Sequence, residues 1–265
     1  MKVLVIQSGS KGNATLVIDK GRVLLIDMGI SMCALKEALA SENLNLMNIN
    51  AMLLTHEHSD HTAGICYLPP LPIYCTKETY NGANVVEVIP YQSFMIEHFE
   101  IMPVSTSHDV RNPIGFIIKN DNEKLVYVTD TGKVLSKTMA KIKNADYYVI
   151  ESNHDEDMLL ATNRPWFLKQ RILSNKGHLS NTQSATAMSK VIGKKTKQII
   201  LAHLSEEAND PDVALKTYEK IFENAKINRE NLEIFCANQH YMVVGGKWWI
   251  TKNLKTIKKQ QTISL

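Results

Sequence analysis

The chain has 265 residues, of which 44% are hydrophobic and 22% are charged, and its formal net charge is +3. This composition is that of an ordinary globular protein, and it excludes a largely disordered or low-complexity chain. No run approaches the roughly 18 apolar residues of a membrane span, and the N-terminus lacks a signal-peptide pattern, so we expect a cytoplasmic protein. We expect one domain over residues 1–265, ending in a basic tail at about 252–265.

Charge clusters and cysteines leave more than one interpretation open. The small positive charge is compatible with a polyanionic partner but does not require one. Two lysine clusters are either solvated surface or phosphate-binding sites, and they comprise Lys194, Lys195 and Lys197, then Lys252, Lys255, Lys258 and Lys259. Because the cysteines lack CxxC spacing, we expect buried, unbridged side chains at Cys33, Cys66, Cys75 and Cys236.

Apolar runs bounded by turn-forming residues predict a β-rich first half with one helix at Met32–Ala40. The predicted strands are Val3–Ile6, Thr15–Ile18, Arg22–Ile26, Ala51–Leu54, Ile73–Cys75, Val85–Val88 and Phe94–Val104. A hairpin is predicted between Gly115–Ile118 and Leu125–Val128, because the intervening Asn and Asp residues favour a turn.

The second half of the chain alternates helices and strands. The predicted helices are Lys133–Lys143, Thr182–Val191 and Pro211–Phe222, and the predicted strands are Tyr147–Ile150, Gln198–Leu201, Leu232–Phe235 and Trp248–Ile250. Two β-rich blocks flanked by helices predict an α/β fold, a four-layer αββα sandwich in which two sheets lie face to face with helices outside.

The segment from Thr55 to His61 places three imidazoles and a carboxylate directly after an apolar strand. His56 and His58 can reach one metal ion, while Asp60 and His61 turn onto a second. Zn²⁺, Mn²⁺ and Fe²⁺ all accept this mixture of nitrogen and oxygen ligands. An exposed polar loop is the alternative, but three histidines in one short segment favour a metal site.

Later strands also end at residues that can bind metal. The strand through Val104 is followed by His108, the strand through Val128 by Asp130, and the strand through Leu201 by His203. Strand ends at one edge of a sheet are where a rigid scaffold presents functional groups. The repetition of this pattern favours a functional site over isolated polar residues.

This order of motifs, HEHSDH followed by a lone His, TDTG and a His after a strand, resembles the metallo-β-lactamase superfamily over nearly the whole chain. The resemblance implies two divalent ions, Zn²⁺ or Mn²⁺ with Fe²⁺ as a third option. Its implied ligands are His56, His58 and His108 for the first ion, Asp60, His61 and His203 for the second, and Asp130 bridging them. It also implies that Asp27 supports the His cluster from behind, although Asp27 alone would be a turn residue before Gly29.

The segment GHLSN, from Gly177 to Asn181, resembles the additional His motif of the phosphodiesterase branch of this superfamily, which includes ribonuclease Z. The resemblance implies that His178 lies beside the metals without binding them and protonates a departing alkoxide or contacts a phosphate oxygen. Asp60 is the second implied catalytic residue, because it would orient the attacking hydroxide. The alternative is that His178 and Asn181 belong to a helix N-cap region.

Three further segments resemble the YycJ/WalJ/VicX group of bacterial proteins, described as exonucleases that act on single-stranded DNA. These segments are SGSKGNAT from Ser8, ESNHD from Glu151 and RPWFLKQRIL from Arg164. The candidate substrate-binding residues are Asn13, Asn153, His154, Arg164, Lys169, Arg171 and Asn181. The basic side chains would contact phosphate, and Trp166 or Phe167 would stack on a base. The alternatives are solvated basic side chains and buried aromatic rings.

The sequence thus predicts a dinuclear metal phosphodiesterase that acts on nucleic acid, most specifically a DNA exonuclease on single-stranded or 5′-ended DNA. A metal-activated hydroxide would attack the phosphate. Ribonuclease or tRNA-processing activity, or hydrolysis of a small cyclic phosphodiester, remains an alternative because the same ligands serve those reactions. A non-catalytic metal-binding regulatory protein is an alternative of another class, against which the intact ligand set argues. His98 is expected to be structural, and His240 has no assigned role.

Overall fold

The structure is a computed structural model that describes residues 1–246, so the predicted strand Trp248–Ile250 and the basic tail lie outside the described residues. In chain order, the strands are β1 Lys2–Gln7, β2 Ala14–Asp19, β3 Arg22–Ile26, β4 Ile49–Leu53, β5 Ile73–Cys75, β6 Val85–Glu87, β7 Phe94–Ile96, β8 Phe99–Ser105, β9 Ile114–Lys119, β10 Lys124–Val128, β11 Tyr147–Glu151, β12 Gln198–Ala202, β13 Glu233–Cys236 and β14 Val243–Gly246. The helices are α1 Met32–Ala40, α2 Ser59–Thr62, α3 Ser136–Lys141, α4 Glu156–Ala161, α5 Trp166–Leu173, α6 Asn181–Ser189 and α7 Pro211–Asn224.

Within residues 1–246 the strands form two seven-stranded sheets, in the orders β14-β1-β2-β3-β4-β5-β6 and β13-β12-β11-β10-β9-β8-β7. Strands β3 to β6 and β10 to β13 pair in parallel, and the other neighbours pair antiparallel. Parallel strands are usually covered on both faces. The central strands β11 and β12 are accordingly buried along their whole length.

Hydrophobic side chains fill the space between the sheets and the space under the helices. Val5 of the first sheet and Phe116 of the second belong to the same central core. Helix α1 covers the outer face of the first sheet with Leu35 and Leu39. Helix α7 covers the outer face of the second sheet with residues that include Tyr218. The predicted four-layer αββα sandwich is confirmed.

Several local predictions were wrong. The predicted strand Phe94–Val104 is a hairpin, because Glu97 adopts a positive φ of 53° and turns the chain between β7 and β8. Strand β14 was missed, although it pairs with β1 at the edge of the first sheet. Helix α4 was also missed. The four cysteines are free, as expected, but Cys33 and Cys66 are exposed rather than buried.

The strand pairing brings the ends of several strands to one edge of the sandwich. In the second sheet, β10, β11 and β12 are parallel. Strand β8 points the same way as β10, because both are antiparallel to β9. In the first sheet, β3 and β4 are likewise parallel. Asp27, His108, Asp130 and His203 all follow the carboxyl ends of these strands.

Among residues 1–246, no helix has the length and apolar character needed to cross a membrane.

Candidate metal centre

The first predicted ligand group lies in the loop between β4 and α2 and in the loop after β8. Nε2 of His56 is 3.1 Å from Nδ1 of His58. The ring of His108 lies 5.3 Å from the ring of His56 and 5.1 Å from that of His58, measured between centroids. One nitrogen from each of the three rings lies within 4.8 Å of the others. Burial lowers the pKa values of His56 and His108, so their rings favour the neutral form that binds metal.

The second predicted group is adjacent. Donor atoms of Asp60, His61 and His203 also lie within 4.8 Å of one another. Nε2 of His61 is 3.5 Å from Oδ2 of Asp60. Burial would lower the pKa of His61, but the carboxylates of Asp27 and Asp130 raise it to about 9. Asp130 and Glu151 likewise overcome burial and raise the pKa of His203 to about 9.

Asp130 lies between the two groups. Its Oδ2 is 3.4 Å from Nε2 of His61, and its Oδ1 is 3.5 Å from Nε2 of His203 and 4.0 Å from Nε2 of His108. Burial alone would raise the pKa of Asp130, but the imidazoles of His203 and His61 hold it well below its usual range. The carboxylate is therefore ionised and faces both groups.

Two buried atoms at this point show that the residues fit a metal ion. Oδ2 of Asp130 and Nε2 of His203 are buried and have no hydrogen-bond partner. A buried polar atom without a partner is costly, and native structures satisfy nearly all such atoms. A cation that accepts nitrogen and oxygen ligands would satisfy both atoms.

The backbone conformation at three strand ends is unusual. Asp27, Asp130 and His203 have positive φ angles of 58°, 52° and 57°. The left-handed region is uncommon for residues other than glycine, and such residues cluster at functional sites. Here the conformation occurs where each chain segment leaves its strand and turns into the site.

Asp27 supports the histidine ligands both by direct contact with His61 and through Thr55. Oδ2 of Asp27 is 2.8 Å from Nδ1 of His61, and Oδ1 accepts a 2.9 Å hydrogen bond from the backbone N–H of Thr55. Oγ1 of Thr55 is 3.0 Å from Nδ1 of His56. Burial raises the pKa of Asp27, against the opposing effect of His61. These contacts occupy Nδ1 of both imidazoles and leave Nε2 of each for the site.

Glu151, at the end of β11, is a site residue that the sequence interpretation missed. Its Oε1 lies 2.7 Å from Nδ1 of His178 and 2.9 Å from Nδ1 of His203. Its Oε2 accepts hydrogen bonds from the backbone N–H groups of Thr131 and Leu179, at 2.9 and 3.1 Å. Although burial opposes ionisation, His178 and His203 lower the pKa of Glu151 to about 2. The available signal was its position at a strand end, which it shares with the expected ligands.

His178 lies beside both ligand groups. Its ring centroid is 5.1 Å from those of His108 and His203. The side chain is partly exposed and lines a cavity of about 170 Å³. Ser180 caps α6 in a capping box with Gln183, so His178 and Asn181 do belong to a helix N-cap region, although His178 is not the capping residue. With Nδ1 held by Glu151, His178 has Nε2 left for a ligand or substrate.

Four of the expected substrate-binding residues have largely buried side chains. Asn13 and Asn181 are fully buried, and His154 and Asn153 are 1% and 8% exposed. The amide of Asn13 is 3.2 Å from Oδ2 of Asp60, and the amide of Asn153 donates a 2.8 Å hydrogen bond to the carbonyl of His203. Asn181 bonds to Ser152 and Asn209. Asn153 nevertheless lines the cavity beside His178 and His203, and Nε2 of His154 is buried without a hydrogen-bond partner, so the substrate contacts expected of these residues stay predictions.

The three basic candidates have different environments. Nζ of Lys169 donates to the carbonyls of Leu160 and Thr162 at the end of α4, so Lys169 caps that helix, and its phosphate contact stays a prediction. Arg164 and Arg171 both line the cavity beside His178 and His203. They pair with Glu207 and Asp109, respectively.

The remaining histidines lie away from the two ligand groups. His98 forms a 2.8 Å contact with Asp19, which agrees with the structural role expected for it. His240 is exposed and pairs with Glu206 at 2.6 Å, and Glu206 also pairs with Lys11. The contacts of Glu206 with His240 and with Lys11 lie on the protein surface.

Comparisons with known proteins agree with this geometry. The family model described as the beta-lactamase superfamily domain matches residues 22–204. The chain is 37% identical over 232 residues to exodeoxyribonuclease YycJ of Bacillus anthracis, an alignment that covers 83% of this chain and 88% of that relative. It is 35% identical over 231 residues to exodeoxyribonuclease WalJ of Streptococcus pneumoniae, which covers 82% of this chain and 86% of that relative.

A solved structure is similar over almost the whole fold. The metallo-beta-lactamase fold protein YhfI from Bacillus subtilis aligns with a TM-score of 0.69 and 20% identity, over 92% of this chain and 99% of that chain. At this identity the similarity shows the fold alone. The family match, the long alignments to the two relatives and the clustered ligand groups agree with one another. The chain belongs to the beta-lactamase superfamily and is a metal-dependent hydrolase.

Proposed function

We propose that the protein is a dinuclear metal-dependent exodeoxyribonuclease that acts in the cytoplasm on single-stranded or 5′-ended DNA. The observation that carries the phosphodiester chemistry is the Glu151–His178 pair beside the two ligand groups. The DNA substrate is supported by the two relatives named exodeoxyribonucleases, which align over most of their own length.

The proposed ligand sets follow the two clusters of donor atoms. One ion would be held by His56, His58 and His108, the other by Asp60, His61 and His203, with Asp130 shared between them. Two bound divalent ions would lower the pKa of a water molecule to near neutrality and stabilise the charge that develops on the phosphate. Asp27 and Glu151 would fix the ring orientations of His61 and His203 through their Nδ1 atoms.

Asp60 would orient the nucleophile, and His178 would protonate the leaving group. Asp60 would accept a hydrogen bond from the attacking water and so orient it, while the amide of Asn13 steadies its Oδ2. His178 would donate a proton from Nε2 to the departing alkoxide oxygen. The ionised carboxylate of Glu151 would orient the ring and balance its positive charge while it carries that proton.

The proposal is tested with purified protein on end-labelled oligonucleotides in the presence of Zn²⁺ or Mn²⁺. We expect mononucleotides to accumulate from single-stranded or 5′-ended DNA from the earliest time points, as an exonuclease requires. Asp130→Asn is the matched inactive control. Protein that binds two metal ions and releases no nucleotides would refute the proposal. Much faster cleavage of a tRNA precursor or a cyclic nucleotide would assign the site to that substrate instead.

A further inference from the structure

Helix α5 is fixed directly against the candidate catalytic groups. The backbone N–H of His178 donates a 3.0 Å hydrogen bond to the carbonyl of Ile172, in the last turn of α5. Arg171 pairs with Asp109, which directly follows His108. The side chains of Leu168 and Arg171 line the cavity that also contains His178 and His203. A side chain on this face of α5 is therefore held in a fixed position relative to His178 and His203.

The two aromatic residues at the start of α5 lie on different faces. With 3.6 residues per turn, Phe167 is about 40° around the helix from Arg171, so the two side chains are neighbours one turn apart. Trp166 is on the opposite side, about 140° from Arg171 and further still from Leu168. Phe167 is therefore on the same side of the helix as Arg171, which lines the cavity, whereas Trp166 is on the other side.

Both rings are available to solvent. Phe167 is 72% exposed and Trp166 is 59% exposed, so the buried aromatic pair that the sequence allowed is not what the fold contains. Within residues 1–246, neither ring forms an aromatic contact, and a flat ring beside cationic groups can serve as a stacking surface for a nucleobase. The neighbouring cations indicate that the occupant is a polyanion rather than an apolar peptide.

The adjacent guanidinium group supplies a matching phosphate contact. Arg171 pairs with Asp109 through Nε, and its side chain is 54% exposed. A guanidinium group has two further nitrogens that donate hydrogen bonds. Arg164, which pairs with Glu207 through Nε, offers the same capacity on the same side of the cavity.

We propose that Phe167 and Arg171 form a ledge for single-stranded DNA, on which Phe167 stacks against an unpaired base and Arg171 binds a neighbouring phosphate. This inference rests on the proposed nuclease function and adds a reason for its strand preference. A base inside a duplex is covered on both faces by its neighbours, so only an unpaired base can offer a free face to Phe167. Double-stranded DNA would have to open its end before it could use the ledge.

The test compares Phe167→Ala with Trp166→Ala, since both remove an exposed ring from the same helix. Affinity for a labelled single-stranded oligonucleotide is measured by fluorescence anisotropy in EDTA, so that no cleavage occurs. We expect Phe167→Ala to weaken binding about tenfold, with Trp166→Ala within about twofold of the wild type. The dependence of affinity on salt should stay the same in Phe167→Ala, because no phosphate contact is removed.

A series of oligonucleotides with one abasic position identifies the stacked base. When the base that meets Phe167 is missing, the wild type and Phe167→Ala should bind equally well. Equal affinity of the wild type and Phe167→Ala for the intact oligonucleotide overturns the ledge. An equal loss of affinity in Phe167→Ala and Trp166→Ala overturns it as well. If Phe167→Ala binds more weakly than the wild type whichever base is missing, the ledge is also overturned. A change only in oligomeric state, measured by light scattering, would assign Phe167 to a protein contact instead.

Failure of the ledge and failure of the nuclease proposal give different results. If the wild type binds but does not cleave DNA under metal-loaded conditions, the nuclease proposal fails, and the binding data in EDTA still decide the ledge. If the wild type cleaves single-stranded DNA and Phe167→Ala cleaves it with the same kcat/KM, the ledge fails alone.

Discussion

The carboxylate of Glu151 holds Nδ1 of His178 at 2.7 Å, and the same oxygen also holds Nδ1 of His203 at 2.9 Å. One buried carboxylate thus orients a proposed metal ligand and a proposed proton donor. Its other oxygen is fully used by two backbone N–H groups. Glu151 is therefore unsuited to binding metal itself, although its atoms lie close enough to the cluster to do so.

Glu151→Gln should reduce activity more than its small change in shape suggests. Each oxygen of Glu151 faces two donors, so the amide NH₂ of Gln would oppose N–H groups in either orientation. We expect activity to fall about 10- to 100-fold. The unfolding free energy should fall by about 1–3 kcal/mol. Steady-state kinetics and denaturant unfolding measure the two effects, and wild-type values for both would contradict the role assigned to Glu151.

His178→Ala should lower the rate while both metals stay bound. Loss of a general acid typically costs about 10²- to 10⁴-fold in rate. The loss should be large for DNA, whose leaving group is an alkoxide, and small for bis(p-nitrophenyl) phosphate, whose leaving group is a stable anion. His240→Ala is the matched control, because His240 is exposed and its side chain pairs with Glu206 at the surface. Unaltered turnover of His178→Ala on several DNA substrates would show that the phosphodiesterase branch is wrongly assigned.

Metal content should distinguish Asp130 from His203. Asp130 faces both ligand groups, whereas His203 belongs to one of them. We expect His203→Ala to keep one ion and Asp130→Asn to lose most of both, with little loss of fold in either variant. Inductively coupled plasma mass spectrometry after gel filtration counts the ions, and circular dichroism checks the fold. Equal metal content in the two variants would argue against a shared carboxylate.

The effect of metal on stability should depend on pH. In the metal-free protein the pKa values of His61 and His203 are raised to about 9. Their charged rings therefore stabilise the fold fully below about 6.5, the usual value, and this contribution is lost as pH rises through about 9. Glu151, whose pKa is lowered to about 2, contributes throughout this range and loses its contribution only as pH falls through about 2.

Metal binding has the opposite pH dependence, because an ion must displace the proton from Nε2 of each ring. Its affinity should rise up to tenfold per pH unit for each proton displaced, until pH passes about 9. The difference in Tm between metal-loaded and metal-free protein should therefore widen from about pH 6.5 to about pH 9. Differential scanning fluorimetry at fixed metal concentration measures it. His203→Ala should show a smaller widening, and a constant difference in the wild type would contradict the assignment.

Much of the fold followed from short-range patterns in the sequence. Apolar runs identified most strands, and polar residues just after them identified the edge that carries the site. Glu151 occupies the same kind of position but was missed, because its role depends on His178 and His203, which lie 27 and 52 residues further along the chain. The turn at Glu97 was missed because only Glu97 and His98 separate the apolar residues of β7 from the start of β8.

The substrate-binding candidates show a different limit. A polar side chain in a motif near the site can face the solvent or satisfy buried groups, and the sequence does not distinguish these cases. Asn13, Asn153 and Asn181 satisfy buried groups, as the hydrogen bonds across long stretches of chain show. Phe167 is the reverse case, since a residue type that is usually buried is largely exposed.

Asp27→Asn should impair the second ligand group by changing a tautomer rather than by breaking the fold. Asn, like Asp, tolerates the positive φ of 58° at this position, so the backbone should be retained. The amide oxygen can still accept from the N–H of Thr55, which directs the amide NH₂ toward Nδ1 of His61. Nδ1 must then accept a hydrogen bond, so the proton moves to Nε2 and blocks the atom that would bind metal.

We therefore expect Asp27→Asn to lower metal affinity about 10- to 100-fold. The affinity is measured by competition with a chelator, and NMR of ¹⁵N-labelled histidine reports the tautomer of His61 directly. Asp19→Asn is the matched control, because Asp19 also contacts a histidine, His98, but lies away from the ligand groups. Wild-type metal affinity in Asp27→Asn, with Nδ1 of His61 still protonated, would show that the carboxylate of Asp27 does not set the tautomer.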